Sequence, residues 1–186
     1  MNILLPFRGL ESAKSRWSGL GSKREDLALR MLQQTVDVVA RVVGAEQTVL
    51  VSPDPALKPL FHQYRILQTA GRGLNQDLFE ARSQLDSSPL AVILPDLPTL
   101  TSEDVASLVE ASRSYDVVLC PDHHEVGTNA IALQQPESLD FLFEGASFER
   151  FNKACQEAAR SVAVLRRPGL AHDCDDVEAL KRFCLL

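Results

Sequence analysis

Asp96 stands between two prolines in Leu94-Pro95-Asp96-Leu97-Pro98, directly after the apolar run Leu90–Leu94. That run has the length and branching of a strand buried on both faces, as in a parallel sheet. The prolines cannot extend the strand, and they stiffen the turn that leaves it. A carboxylate at the carboxyl end of a central strand stands where open α/β sheets place their ligands, and so rigid a mount suits a divalent cation. Capping of the next helix is the competing use, although Thr101 or Ser102 is better placed for it. Asp173-Cys174-Asp175-Asp176 supplies further carboxylates. Alternate residues of an extended segment share a face, so Asp173 and Asp175 can point together while Asp176 turns off or caps the last helix. Three carboxylates on two loops form an oxygen-rich set of the kind that holds Mg²⁺ against substrate phosphates.

Other loops carry groups that could meet those phosphates. Arg8, Lys14 and Arg16 follow the first strand within nine residues, with Gly9 among them, and cations on a glycine-containing loop favour phosphate. Gly71-Arg72-Gly73-Leu74-Asn75 lets backbone approach a planar ligand or a phosphate, and Asn75 offers donors and an acceptor to a base edge. Helix capping explains the same glycines nearly as well. In Asp122–Asn129, His123 and His124 are adjacent and should point apart, so a solvated loop tip fits them better than joint ligation. Thr128 and Asn129 beside Gly127 can hold a phosphate or a carboxylate. Gly145-Ala146-Ser147 opens a helix, with Ser147 either its N-cap or part of an anion site. No Ser-His-Asp order, Walker loop or GxGxxG pattern competes with these groups.

Strands expected at Asn2–Phe7, Gln47–Val51, Arg65–Gln68, Leu90–Leu94, Asp116–Cys120, Asn129–Gln134 and Val162–Leu165 must present those loops. Helices are expected at Lys23–Val43, in a short piece through Leu60, and at Leu74–Leu85, Ser102–Ser112, Ser147–Ala159 and Val177–Phe183. Strands alternate with helices through the first two thirds, which predicts an α/β three-layer sandwich on a mostly parallel sheet. The last third is less regular and predicts an antiparallel edge. At 186 residues a single domain, 1–186, is expected.

A net charge of −6 argues against nucleic acid or an anionic membrane as partner. No apolar run reaches transmembrane length and no signal-peptide pattern opens the chain. Cys120, Cys155, Cys174 and Cys184 form no CxxC pair, and read as small core or surface residues in a reducing compartment, the cytoplasm.

The segments LPFRGLESAKSR, GRGLNQDLFEA, LPDLPTL, GTNAIAL, GASFERF and GLAHDCDDVEAL occur in the order and spacing of the 2-phospho-L-lactate/phosphoenolpyruvate guanylyltransferase family. The chain resembles that family from Leu4 to Leu180. The resemblance implies a nucleotide-diphospho-sugar-transferase (glycosyltransferase-A-like) fold, similar to that of molybdenum-cofactor guanylyltransferases. It implies transfer of GMP from GTP to a small phosphorylated carboxylic acid, with release of pyrophosphate. The acid would be phosphoenolpyruvate, 2-phospho-L-lactate or 3-phospho-D-glycerate, and the step one of coenzyme F-420 biosynthesis. On the resemblance, Mg²⁺ sits on Asp96, Asp173 and Asp175, and Arg8 and Lys14 join Asp96 in catalysis. The nucleotide lies at Gly71, Gly73, Asn75 and Pro95, and the acceptor at Thr128, Asn129, Gly145 and Ser147. The transferase that next uses the product is a candidate partner. The sequence departs from the family's usual residues at Glu144 (often glycine), Phe151 (often histidine) and Pro95 (often alanine). Two other readings are a nucleotidyltransferase for a sugar phosphate or molybdopterin, and a non-catalytic nucleotide-binding regulator. All three aspartates are retained, which weighs against the regulator.

Overall fold

The computed structural model describes residues 1–9, 23–86, 89–174 and 177–183. Lys14, Arg16, Asp175, Asp176 and Cys184 lie outside these residues. The strands are β1 (Asn2–Pro6), β2 (Thr48–Ser52), β3 (Arg65–Gln68), β4 (Leu90–Ile93), β5 (Val117–Pro121), β6 (Thr128–Leu133) and β7 (Val162–Val164). They form one sheet in the order β3-β2-β1-β4-β6-β5-β7. β1 pairs in parallel with β2 and β4, β2 with β3, and β5 with β7, while β6 runs antiparallel to β4 and β5. The antiparallel departure expected of the last third is this one strand, seated inside the sheet.

Strand residues divide alternately between two apolar layers, as the period-2 geometry of a strand requires. Ile3, Leu5, Ala91, Ile93, Val118 and Ala132 face α1 (Lys23–Val43) and α4 (Ser102–Ala111). Leu4, Val92, Leu119 and Ile131 face α3 (Leu74–Arg82) and α5 (Ser147–Glu157). Both faces are covered, which is why these strands read as unbroken apolar runs. The remaining helices are α2 (Leu57–Leu60), α6 (Pro168–Ala171) and α7 (Val177–Arg182), with a 3₁₀ turn at Pro136–Ser138. α6 and the 3₁₀ turn were not expected from the sequence. Each is a turn or less opened by a proline, too short for a hydrophobic period to show.

Chain order reverses at β1, which leads to β2 on one side and lies against β4 on the other. A crevice opens at the carboxyl ends of strands at such a switch point. Phe7–Gly9 leaves β1 there, and Leu94–Asp96 leaves β4. Because β6 is reversed, its first residue, Thr128, lies at the same edge.

Candidate active site

The prolyl turn after β4 is fastened from two sides. Leu97 and Leu100 are buried in the core beneath it. From α1, Gln34 Nε2 donates to the Pro98 carbonyl at 2.8 Å and Thr35 Oγ1 to the Pro95 carbonyl at 3.4 Å. The capping alternative for Asp96 is settled against it. Thr101 is the N-cap of α4, in a capping box with Asp104, whose side chain accepts from the Thr101 amide at 3.1 Å. Asp96 is therefore held half-buried on a rigid turn and is not the cap of α4.

The segment 165–174, which carries Asp173, is set against that turn by four contacts. Arg167 Nε donates to Asp104 Oδ1 at 2.8 Å. Asn129 Nδ2 donates to the Leu170 carbonyl at 3.0 Å, and the His123 amide to the Ala171 carbonyl at 2.8 Å. The Cys174 amide donates to the carbonyl of Asp96 itself, at 2.9 Å. A Cβ on Gly169 would lie 2.0 Å from Asp104 Oδ2 and 2.7 Å from the Thr99 carbonyl, so only glycine lets α6 approach so closely. Two of the three expected metal carboxylates, Asp96 and Asp173, thus sit on segments joined by a backbone hydrogen bond. Hard carboxylate oxygens fit Mg²⁺. Among the described residues no cluster of three His, Cys, Asp or Glu that could hold a metal is present, and Asp175 lies outside them.

On the β1 side, Arg8 is exposed two residues past the end of the strand. The loop 70–73 has its own anchor. Asp77 Oδ1, on the buried first turn of α3, accepts from the amides of Gly71 (3.0 Å) and Arg72 (3.2 Å). Gly73 is the N-cap of α3 with φ 124°, no side chain caps the helix, and a Cβ there would meet nothing within 4 Å. The chain thus opens onto free space in a backbone conformation that glycine adopts without strain. Asn75 is engaged differently from the base-edge role expected of it: its Oδ1 accepts from the Phe143 amide at 2.8 Å.

On the β6 side, Thr128 is 3% exposed, and its buried Oγ1 has no hydrogen-bond partner among the described residues. Its neighbour Asn129 holds Leu170, as above. The N-cap of α5 is Ala146 without a side-chain cap. Ser147, one of the two uses expected of it being the N-cap, is instead the first helical residue and is buried. The turn ahead of α5 is fixed by the Phe148 amide, which donates to the Val126 carbonyl at 3.1 Å. Glu144 is exposed, with its carbonyl accepting from Arg150 Nη1 at 2.9 Å.

The adjacent histidines do not point apart. Their ring centroids lie 3.7 Å from each other, and His123 lies 4.9 Å from His172. Asp122 causes this, because its carboxylate accepts from the amides of His124, Val126 and Gly127 and folds the loop back on itself. Burial, with His123 and Arg182 nearby, holds the His172 pKa below the ordinary histidine value. Cys120, Cys155 and Cys174 are buried thiols. Burial pushes the pKa of Cys120 and of Cys155 up, which keeps both as protonated packing residues.

Arg82 and Asp104 were not singled out from the sequence. Arg82 had a signal: it continues the four-residue spacing of Leu74 and Leu78 on α3, the first partly and the second fully buried, where a charged residue needs partners. Thr101-Ser102-Glu103-Asp104 had another, the spacing of a capping box.

The sheet order, the switch-point crevice and the carboxylates at its edge define an α/β nucleotidyltransferase class of fold. Its likeness to a solved structure assigned as a nucleotide-diphospho-sugar transferase of Desulfovibrio desulfuricans supports the fold. The TM-score is 0.78 at 19% identity, over 97% of this chain and 85% of that one. Residues 1–185 match the family described as "Guanylyl transferase CofC like", and the chain belongs to that family of enzymes. It is 35% identical to a phosphoenolpyruvate guanylyltransferase of Chloroflexus aggregans, over 99% of this chain and 96% of the relative. It is 29% identical to a 2-phospho-L-lactate guanylyltransferase of Methanopyrus kandleri, over 100% and 92%. No helix among the described residues is long and apolar enough to cross a membrane.

Proposed function

We propose that this guanylyltransferase moves GMP from GTP to phosphoenolpyruvate and releases pyrophosphate, as a cytoplasmic step of coenzyme F-420 biosynthesis. The observation that carries the reading is the hydrogen bond joining the Asp96 turn to the Asp173 segment at the switch-point edge. The name of the Chloroflexus aggregans relative supports the acceptor.

An acceptor phosphate oxygen attacks the α-phosphorus of GTP in line. The bond from that phosphorus to the bridging oxygen breaks, and pyrophosphate leaves. Two polyanions must meet, so their repulsion is the main barrier. Asp96, Asp173 and Asp175 would hold Mg²⁺, which when bound would supply positive charge to offset that of the substrates. Arg8 and Lys14 offset charge on the triphosphate and the leaving group. Gly71, Gly73 and Pro95 line the nucleotide side, where backbone can approach the base closely. Thr128 and Ser147, with the amides after Gly145, receive the acceptor, and the Thr128 hydroxyl gains there a partner that it lacks among the described residues. Asn129 keeps the Asp173 segment in place by holding Leu170. A phosphate is largely ionised at neutral pH, so the reaction needs no general base.

The test is pyrophosphate release from GTP and Mg²⁺ with phosphoenolpyruvate, 2-phospho-L-lactate or 3-phospho-D-glycerate. Release with phosphoenolpyruvate is expected, reduced by roughly 10²–10³-fold in Asp96→Asn with an unchanged melting temperature. Wild-type turnover in Asp96→Asn would overturn the metal assignment. Turnover with one of the other acids alone would overturn the acceptor.

A further inference from the structure

Arg82 is 5% exposed, although it carries a charge that the proposed chemistry does not use. Its Nη1 donates to the carbonyls of Pro136 and Leu139, both at 2.8 Å. Its guanidinium carbon lies 5.0 Å from the ring centre of Phe79 and 5.1 Å from that of Phe141. Glu137 and Asp140 approach it at 3.7 and 3.9 Å, but both are well exposed and water screens them. The two carbonyls and two rings are what hold the cation. One segment, 136–141, supplies every one of these partners except Phe79.

The same segment is tied to the other end of the same helix. Asn75, on the first turn of α3, accepts from the Phe143 amide at 2.8 Å. An amide N–H can only donate, so the side chain must present Oδ1 to it. α3 thus grips residues 136–143 at both ends, one helical face apart by seven residues. Beyond that grip, Phe143 packs edge-on against the fully buried Phe151 of α5, with centroids 5.3 Å apart. Phe151 lies one turn along α5 from Ser147.

We propose that Arg82 and Asn75 are positioning residues for the acceptor pocket: through the strap 136–143 and Phe151 they set where Gly145 and Ser147 stand. Asn75, although it neighbours the glycine loop assigned to the nucleotide, acts on the other substrate. The inference rests on the reading that the acceptor binds at Thr128, Gly145 and Ser147.

Steady-state kinetics on the full chain, with GTP and acceptor varied separately, test it. Asn75→Ala is expected to raise the acceptor KM roughly tenfold, and to leave the GTP KM within about twofold. Asn75→Asp keeps an oxygen for the Phe143 amide but loses the amide donors, and is expected to restore most of the acceptor affinity. Arg82→Lys, checked for a cooperative melt, should also raise the acceptor KM and speed hydrogen exchange of the 137–147 amides. If Arg82→Lys does not fold, the Asn75 pair decides alone. A rise in the GTP KM for Asn75→Ala, with no rescue by Asn75→Asp, would overturn the inference in favour of nucleotide reading by the side-chain NH₂. Ser147→Ala and Thr128→Val separate the two layers of argument. If they raise the acceptor KM while Asn75→Ala does not, the strap fails and the pocket stands. If they leave it unchanged, the pocket falls and the inference with it.

Discussion

The amide of Cys174 donates to the carbonyl of Asp96 at 2.9 Å. This bond joins two stretches 78 positions apart in sequence and brings the Asp173 segment beside the Asp96 turn. The tie is made by backbone alone, from the Cys174 amide to the Asp96 carbonyl. Its surroundings are built to hold it: Asp104 grips Arg167 from α4, while Asn129 grips Leu170 from β6. The spacing of the carboxylates is therefore a property of the sheet and of α4, not of a loop left to find its own place.

Gly169→Ala tests how closely that spacing is fixed. A Cβ would meet Asp104 Oδ2 at 2.0 Å and the Thr99 carbonyl at 2.7 Å, and backbone cannot swing aside as a flexible side-chain end can. Overpacking of this sort costs about 1–3 kcal/mol, which for a chain of this size lowers Tm by about 2–4 °C per kcal/mol. The displaced segment carries Asp173, so turnover at limiting Mg²⁺ should fall further than turnover at saturating Mg²⁺. A thermal melt and a Mg²⁺ titration of pyrophosphate release check both halves.

Thr128→Val separates stability from binding. The hydroxyl is buried without a partner among the described residues, so in the free protein it contributes a desolvation cost and no hydrogen bond. Replacing it with a methyl of similar shape is near neutral or stabilising, and Tm should hold or rise. The acceptor KM should rise in the same variant, since the phosphate loses a donor. A lowered Tm would mean that the hydroxyl supports the fold, and an unchanged acceptor KM would remove Thr128 from the pocket.

The apolar runs made the sheet legible, because strands covered on both faces are continuous in Val, Ile and Leu, as at Leu90–Leu94. Asp96 was legible because prolines on either side leave a carboxylate few other postures. What the sequence hides is how polar groups pair across long separations. Asn75 looked like a reader of bases, and nothing in its neighbourhood names Phe143, 68 positions on. His123 and His124 should diverge by strand geometry, yet the Asp122 turn is no strand and brings their rings together. Asp104 has the spacing of a capping-box partner to Thr101 in the sequence, and only the structure shows that its other oxygen holds Arg167.

The histidine group gives a pH dependence with a definite sign. Burial, His123 and Arg182 lower the pKa of His172 from 6.5 in the folded chain, and His123 and Phe183 are the rings packed against it. Between the folded pKa and 6.5, the unfolded chain binds a proton at this residue that the folded chain does not. Stability therefore rises with pH through that window. It is fully present above about 6.5 and is lost as pH falls toward the lowered value, because a cation at His172 would face Arg182 and any charge on His123. Melts between pH 5 and 8 should show Tm falling on the acid side of this window, and His172→Gln should flatten that part of the curve. A wild-type curve that stays level through the window, or a His172→Gln curve that keeps the same slope, would place the titrating group elsewhere.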